Sequence, residues 1–141
     1  MEGFCSGGGL RQLGQHYAVE AIKAGKSPAY CPTENDLPSV TALSLANAAH
    51  DGDPTALAVW NDCGEHLGRA MAILIDLFNP ECIVIGSIYA RSGDLLIPAM
   101  EKALAREALP TALAACRIVP AALTESVGDL AALTIAMEGT P

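Results

Sequence analysis

Aromatic side chains are scarce in this sequence: Phe, Trp and Tyr make up 4% of its 141 residues. Its core must therefore be assembled mainly from Ala, Leu, Ile and Val. Positive charge is also short, with 8 Lys and Arg against 16 Asp and Glu, a net charge of -8 and a pI near 4.6. A nucleic-acid surface needs clustered Lys and Arg, so direct nucleic-acid binding is not expected, whereas small neutral ligands remain open. Apolar stretches are broken by charge or Pro before they reach the length of a membrane span. No basic segment followed by an apolar one opens the chain as in a secretory signal. A soluble, cytoplasmic protein without a membrane partner is expected. Cys5, Cys31, Cys63, Cys82 and Cys116 contain no C-x-x-C pair, so neither a zinc ribbon nor a disulfide framework is indicated. They read as small, mostly buried residues in a reducing compartment.

The apolar fraction is 51% and the charged fraction 17%, values suited to a compact domain spanning residues 1–141. Gly7-Gly8-Gly9 reads as a flexible lead into a helix over Leu10 to Ala24, closed by Gly25. Lys26 to Pro38, with three prolines, reads as an exposed loop, and Ser39 as the N-cap of a short helix to about His50. Asp53 and Pro54 open the longest helix, whose stripe Leu57, Trp60, Cys63, Leu67, Met71, Leu74 and Phe78 faces a core. Gly64 and Gly68 lie one turn apart on it, each costing about 1 kcal/mol relative to Ala, which implies a closely approaching neighbour. Asn79-Pro80 ends the helix.

Cys82 to Gly86 has the continuous apolar pattern of a strand buried on both faces. A helix from about Asp94 to Glu107, ended by Pro110, a second strand over 117–119 and a helix from Gly128 to Met137 follow. Strand, helix, strand, helix in that order predicts an α/β fold, helix-rich with a short parallel sheet. The remaining polar groups have ordinary surface readings. His16, His50 and His66 lack metal-ligand spacing; Glu65-Arg69 is an i,i+4 pair; Lys102, Arg106 and Glu107 form a solvated face.

Several stretches, in order, resemble the ROK family (repressor, open reading frame, kinase). They are the Ala48-Ala49-His50-Asp51-Gly52-Asp53-Pro54 turn, the Leu67-Gly68-Arg69 helix running through Asn79-Pro80-Glu81 into Ile83-Val84-Ile85-Gly86, and the closing Val127-Gly128-Asp129-Leu130-Ala131 helix start. At the N-terminus, Glu2-Gly3-Phe4-Cys5-Ser6-Gly7 is similar to the last residue of the family's C-x-C-G-x-x-G-C-x-E zinc motif and the segment after it. The cysteines of that motif would precede Met1, so no zinc site is expected, and Cys5 matches none of them.

The resemblance implies a ribonuclease-H-like, actin-like ATPase half: the C-terminal lobe of a glucokinase-like sugar kinase, with the N-terminal lobe absent. ATP and Mg would serve the complete protein. The implied sugar or amino-sugar site comprises Glu2, Ser6 and Gly7, and the implied nucleotide site Gly86, Ser87 and Gly128. ROK kinases usually carry a second glycine where Ser87 stands. The family's D-x-G-x-T hairpin and its Asn-Asp general base are both missing, since Asn61-Asp62 lies within the long helix, on its polar side. The expectation is a half-site with no catalytic residue of its own. The alternatives are the effector-binding lobe of a sugar-responsive transcriptional repressor and a stand-alone dimerisation module. In the last, the Gly64 and Gly68 face would meet a second copy, and either that copy or the missing lobe would be the partner.

Overall fold

The computed structural model describes residues 5–123 and 127–138. Helix α1 (Gly7–Lys23) is opened by Ser6, whose Oγ accepts the Gly9 N–H at 3.0 Å. The three glycines thus form its first turn and not a flexible lead. Gly25 follows the last turn at φ 75, the left-handed backbone that closes a helix. The loop after α1 contains a 3-10 turn (Glu34–Ser39), so Ser39 ends that turn and does not cap the next helix. The cap of α2 (Ala42–His50) is Thr41, which exchanges hydrogen bonds with Ser44.

Helix α3 (Pro54–Phe78) starts as its sequence dictates. Asp53 Oδ1 accepts the Ala56 N–H at 2.8 Å, and Oδ2 takes the Ala29 N–H at 2.7 Å, tying the proline-rich loop to the helix start. Trp60, Cys63, Leu67 and Met71 are buried, but Leu57 and Phe78 at the ends of the stripe are exposed. Asn79, at φ 44, supplies the left-handed cap.

Strand β1 (Cys82–Ile85) pairs in parallel with β2 (Arg117–Pro120), Ile83 opposite Ile118. With two strands the sheet is open at its sides, and Val84 is 63% exposed where burial on both faces was expected. Helix α4 (Ile88–Glu107) is two helical segments joined at a kink at Ser92 (φ -139, ψ 36): a short one from Ile88 precedes the break, and the longer one after it starts beside the expected Asp94. Pro110 does not merely end a helix. It opens the short α5 (Pro110–Ala115), with the Leu109 N–H held by Asp76 Oδ1 at 2.9 Å. Helix α6 (Val127–Glu138) follows, its described side chains all exposed, among them Leu133, Ile135 and Met137.

The core runs from α1, the following loop and α2 through α3 to α4, with its most extensive contact between α3 and α4. A methyl group on Gly64 would meet the Leu96 carbonyl oxygen at 2.6 Å, and one on Gly68 would overlap the Met100 carbonyl oxygen. The glycines therefore serve contact within the chain, which corrects the expectation that this face meets a second copy. Arg106 and Glu107 also do more than face solvent. Arg106 reaches Glu65 at 3.1 Å, and Arg69 holds Glu65 at 2.7 Å, linking α4 to α3 along the edge of that contact. No helix among the described residues is long and apolar enough to cross a membrane.

Candidate functional site

Three segments far apart in sequence enclose a cleft of about 800 Å³, within the range of small-molecule sites. The first turn of α1 contributes Gly7, Gly8 and Arg11. Helix α2 contributes Leu43, Asn47 and His50, and the broken start of α4 contributes Ile88, Arg91 and Ser92. Trp60 of α3 lines it as well; the indole is 1% exposed and its Nε1–H has no acceptor among the described residues. A buried indole N–H without a partner is costly.

The described lining of the cleft is cationic in an acidic chain. Two of the eight Lys and Arg, Arg11 and Arg91, line it, and no Asp or Glu does among the described residues. Helix α1 presents its N-terminal turn there, where backbone N–H groups and the helix dipole favour negative charge. His50 at the rim is bonded through Nε2 to Asp94 Oδ2 at 2.7 Å, and that contact holds the Asp94 carboxyl below its ordinary range. Asp94, just past the Ser92 kink, is thus engaged across the gap from α2 to α4.

Of the residues that the sequence singled out, Gly7 lines the cleft. Ser6, beside it, is engaged as the cap of α1. Glu2 lies outside the described residues. Gly86 and Ser87 form the turn from β1 into α4, and neither is among the residues that line the cleft. Ser87 sits at φ 53, ψ -121, a backbone conformation that favours glycine, so the chain keeps a glycine's geometry with a serine in place. Gly128, near the start of α6, has open space around it and is not part of the cleft lining. Arg11, Arg91, Asn47 and Trp60 were not singled out as site residues. Arg11 had a legible signal, since it is a cation one turn into a helix whose first residues are glycines.

Asn61-Asp62 is no bare surface dipeptide. Asp62 accepts the Tyr17 hydroxyl at 3.3 Å and pairs with His66 Nδ1 at 3.1 Å; neither Asn61 nor Asp62 lines the cleft. Glu65, next along α3, is held below its ordinary range by Arg106 and then Arg69. Among the described residues no three His, Cys, Asp or Glu side chains cluster as metal ligands.

Comparison with known proteins agrees with this architecture. The model of the ROK family matches residues 1–138. The DNA-binding transcriptional repressor Mlc of Escherichia coli K12 is 39% identical over 71 residues, half of this chain and 18% of that protein. A glucokinase of Thermotoga maritima is 32% identical over 97 residues, 69% of this chain and 31% of the enzyme. Among solved structures, a ROK family glucokinase from Streptomyces griseus, determined with glucose and AMPPNP, superposes with a TM-score of 0.73 over 96% of this chain and 44% of that one, at 20% identity. The chain thus spans less than a third of these two curated relatives and under half of the solved one. The fold is the ROK sugar-kinase, actin-like ATPase type, carried here by helices around a short two-stranded parallel sheet. With a match running almost from end to end, the chain belongs to the ROK family.

Proposed function

We propose that this chain is the C-terminal lobe of a ROK-type sugar kinase, that its cleft takes the nucleotide, and that it does not phosphorylate a sugar by itself. The carrying observation is the cationic cleft at the end of β1, lined by Arg11 and Arg91 and by no carboxylate among the described residues, in a chain of net charge -8. Guanidinium groups and a helix N-terminus suit phosphate oxygens. The unpartnered Trp60 N–H suits an acceptor on base or ribose. A divalent cation travelling with ATP takes oxygen ligands, and the described lining of the cleft holds no carboxylate for one. Those ligands would come from the phosphates and from groups outside this lobe.

Transfer to a sugar hydroxyl also requires a base within hydrogen-bonding reach. The family's base is the Asp of an Asn-Asp pair. Asp62 is committed to Tyr17 and His66 and lies off the cleft. The sugar or amino sugar would be met by Gly7 together with Glu2. The exposed apolar residues of α6 support a covering partner, either an N-terminal lobe or a second copy.

The sole tryptophan reports directly on the cleft. ATP should change Trp60 fluorescence saturably, while a coupled ADP assay over hexoses and N-acylated amino sugars should show no turnover. Sugar-dependent ADP release would overturn the non-catalytic reading, and a Trp60 signal indifferent to millimolar-range ATP would overturn the nucleotide site. The identity with Mlc supports a second reading, an effector lobe of a repressor. In that case a sugar would move Trp60 fluorescence and ATP would not.

A further inference from the structure

Away from the cleft lining, the fold brings together two thiols that are 58 residues apart in sequence. Cys5 Sγ lies 3.7 Å from the backbone carbonyl oxygen of Cys63, in the middle of α3. Cys63 has no solvent exposure, whereas Cys5 is half-buried and within reach of solutes. The two sulfurs are not equivalent. The Cys5 thiol is the donor to that carbonyl; contact with Cys63, and the field of His66 one turn further along α3, favour its ionised form. Against the opposing effect of burial, these bring Cys5 down to about 7, while contact with Cys5 and burial push Cys63 up. Burial raises Cys31 and Cys116. Cys5 therefore ionises more readily near neutral pH than Cys31, Cys63 or Cys116, and it lies against the backbone of Cys63.

We propose that Cys5 and Cys63 form a redox-responsive pair that a hydroperoxide closes into a disulfide. The Cys5 thiolate attacks one oxygen of the peroxide. The O–O bond breaks, the S–O bond of a sulfenic acid forms, and the departing oxygen leaves as water or alcohol after taking a proton. Cys63 sulfur then attacks Cys5 sulfur: the S–S bond forms, the S–O bond breaks, and hydroxide leaves as water with the Cys63 proton. The two thiols together lose two electrons, which the peroxide gains. The bond would tie the residue just ahead of the α1 cap to α3, one turn from Trp60. Oxidation would therefore fix one wall of the cleft to its floor. A thiol reductant reverses the step.

The test is a peptide map of the purified chain after stoichiometric hydrogen peroxide at neutral pH, with free thiols blocked and no reductant present. A single Cys5–Cys63 linkage is expected, reversed by dithiothreitol. Before oxidation, Cys5 should react with iodoacetamide at least about five-fold faster than Cys31 or Cys116 at pH 7, since its larger thiolate fraction outweighs its lower nucleophilicity. In Cys63→Ala the sulfenic acid should persist and be trapped by dimedone, and in Cys5→Ser low peroxide should leave Cys63 reduced. Linkage of other cysteines, or equal reactivity of Cys5 and Cys116 in the folded wild-type chain, would overturn the proposal. The wild-type map decides the matter even if the Cys63 variant fails to fold.

Discussion

Gly64 of α3 faces the Leu96 carbonyl of α4 so closely that a β-carbon on it would stand 2.6 Å from the oxygen. Backbone is on the other side of that contact, so no side-chain rotation can make room. In an exposed helix, Gly→Ala stabilises by about 1 kcal/mol. Here Gly64→Ala must push two helices apart, and overpacking of this kind costs about 1–3 kcal/mol. Gly64→Ala and Gly68→Ala are each expected to lower stability by about 1–2 kcal/mol in urea denaturation. Either variant being as stable as the parent would show that the helices do not pack as described.

Ser87 should behave in the opposite way. A non-glycine residue held in a sparsely populated backbone region carries about 1–3 kcal/mol of strain, and glycine returns about 0.5–1 kcal/mol of that as chain entropy. Ser87→Gly is therefore expected to raise the melting temperature, with a net gain of about 1 kcal/mol. Ser87→Val, β-branched at φ 53, should lower it. A drop in stability for Ser87→Gly would argue against the left-handed turn.

If the cleft takes a phosphorylated nucleotide, its two arginines should matter in proportion to charge. Hydrogen bonds to charged groups contribute about 1.5–3 kcal/mol. Arg11→Gln and Arg91→Gln should each weaken ATP binding roughly ten-fold or more in the Trp60 fluorescence titration, with adenosine affected much less. Equal loss for ATP and adenosine would mean that the arginines shape the cleft without meeting phosphate.

The Glu65 cluster makes a pH prediction. Arg106, and after it Arg69, hold the Glu65 carboxyl below its ordinary 4.5. Its contribution to stability is thus present above that ordinary value and is lost as the pH falls through the lowered one. Carboxyl NMR should show Glu65 titrating on the acid side of 4.5, and Arg106→Gln should move it back upward. An unmoved midpoint in that variant would mean that the α4 arginine does not engage Glu65 in solution.

Much of the fold could be read locally. Asp53 with Pro54, Asn79 with Pro80, and the apolar run into Gly86 act on neighbours a few residues away, so composition and order determine those caps, stops and strand. The spacing of Gly64 and Gly68 also implied a close neighbour, although not which one. The same local rules left ties that packing resolved. Ser39 and Thr41 are both competent caps, and Thr41 opens α2 where the intervening Val40 is completely buried. Asp94 reads as a helix start and stands at the start of the segment after the Ser92 kink, but only packing brings His50 to it from another helix. Pro110 reads as a stop, yet Asp76 of α3 anchors the chain just ahead of it and α5 begins there.

The sequence by itself determined the family and the order of elements. Those depend on residue type and spacing along the chain. Only the tertiary structure decided that Gly7, Arg11, His50, Trp60 and Arg91 share one cleft, that Asp62 is taken by Tyr17 and His66, and that Cys5 meets Cys63. Each of these is a distance between side chains far apart in sequence. Such distances are set when α3 and α4 close on their glycines and bring the other segments into place around them.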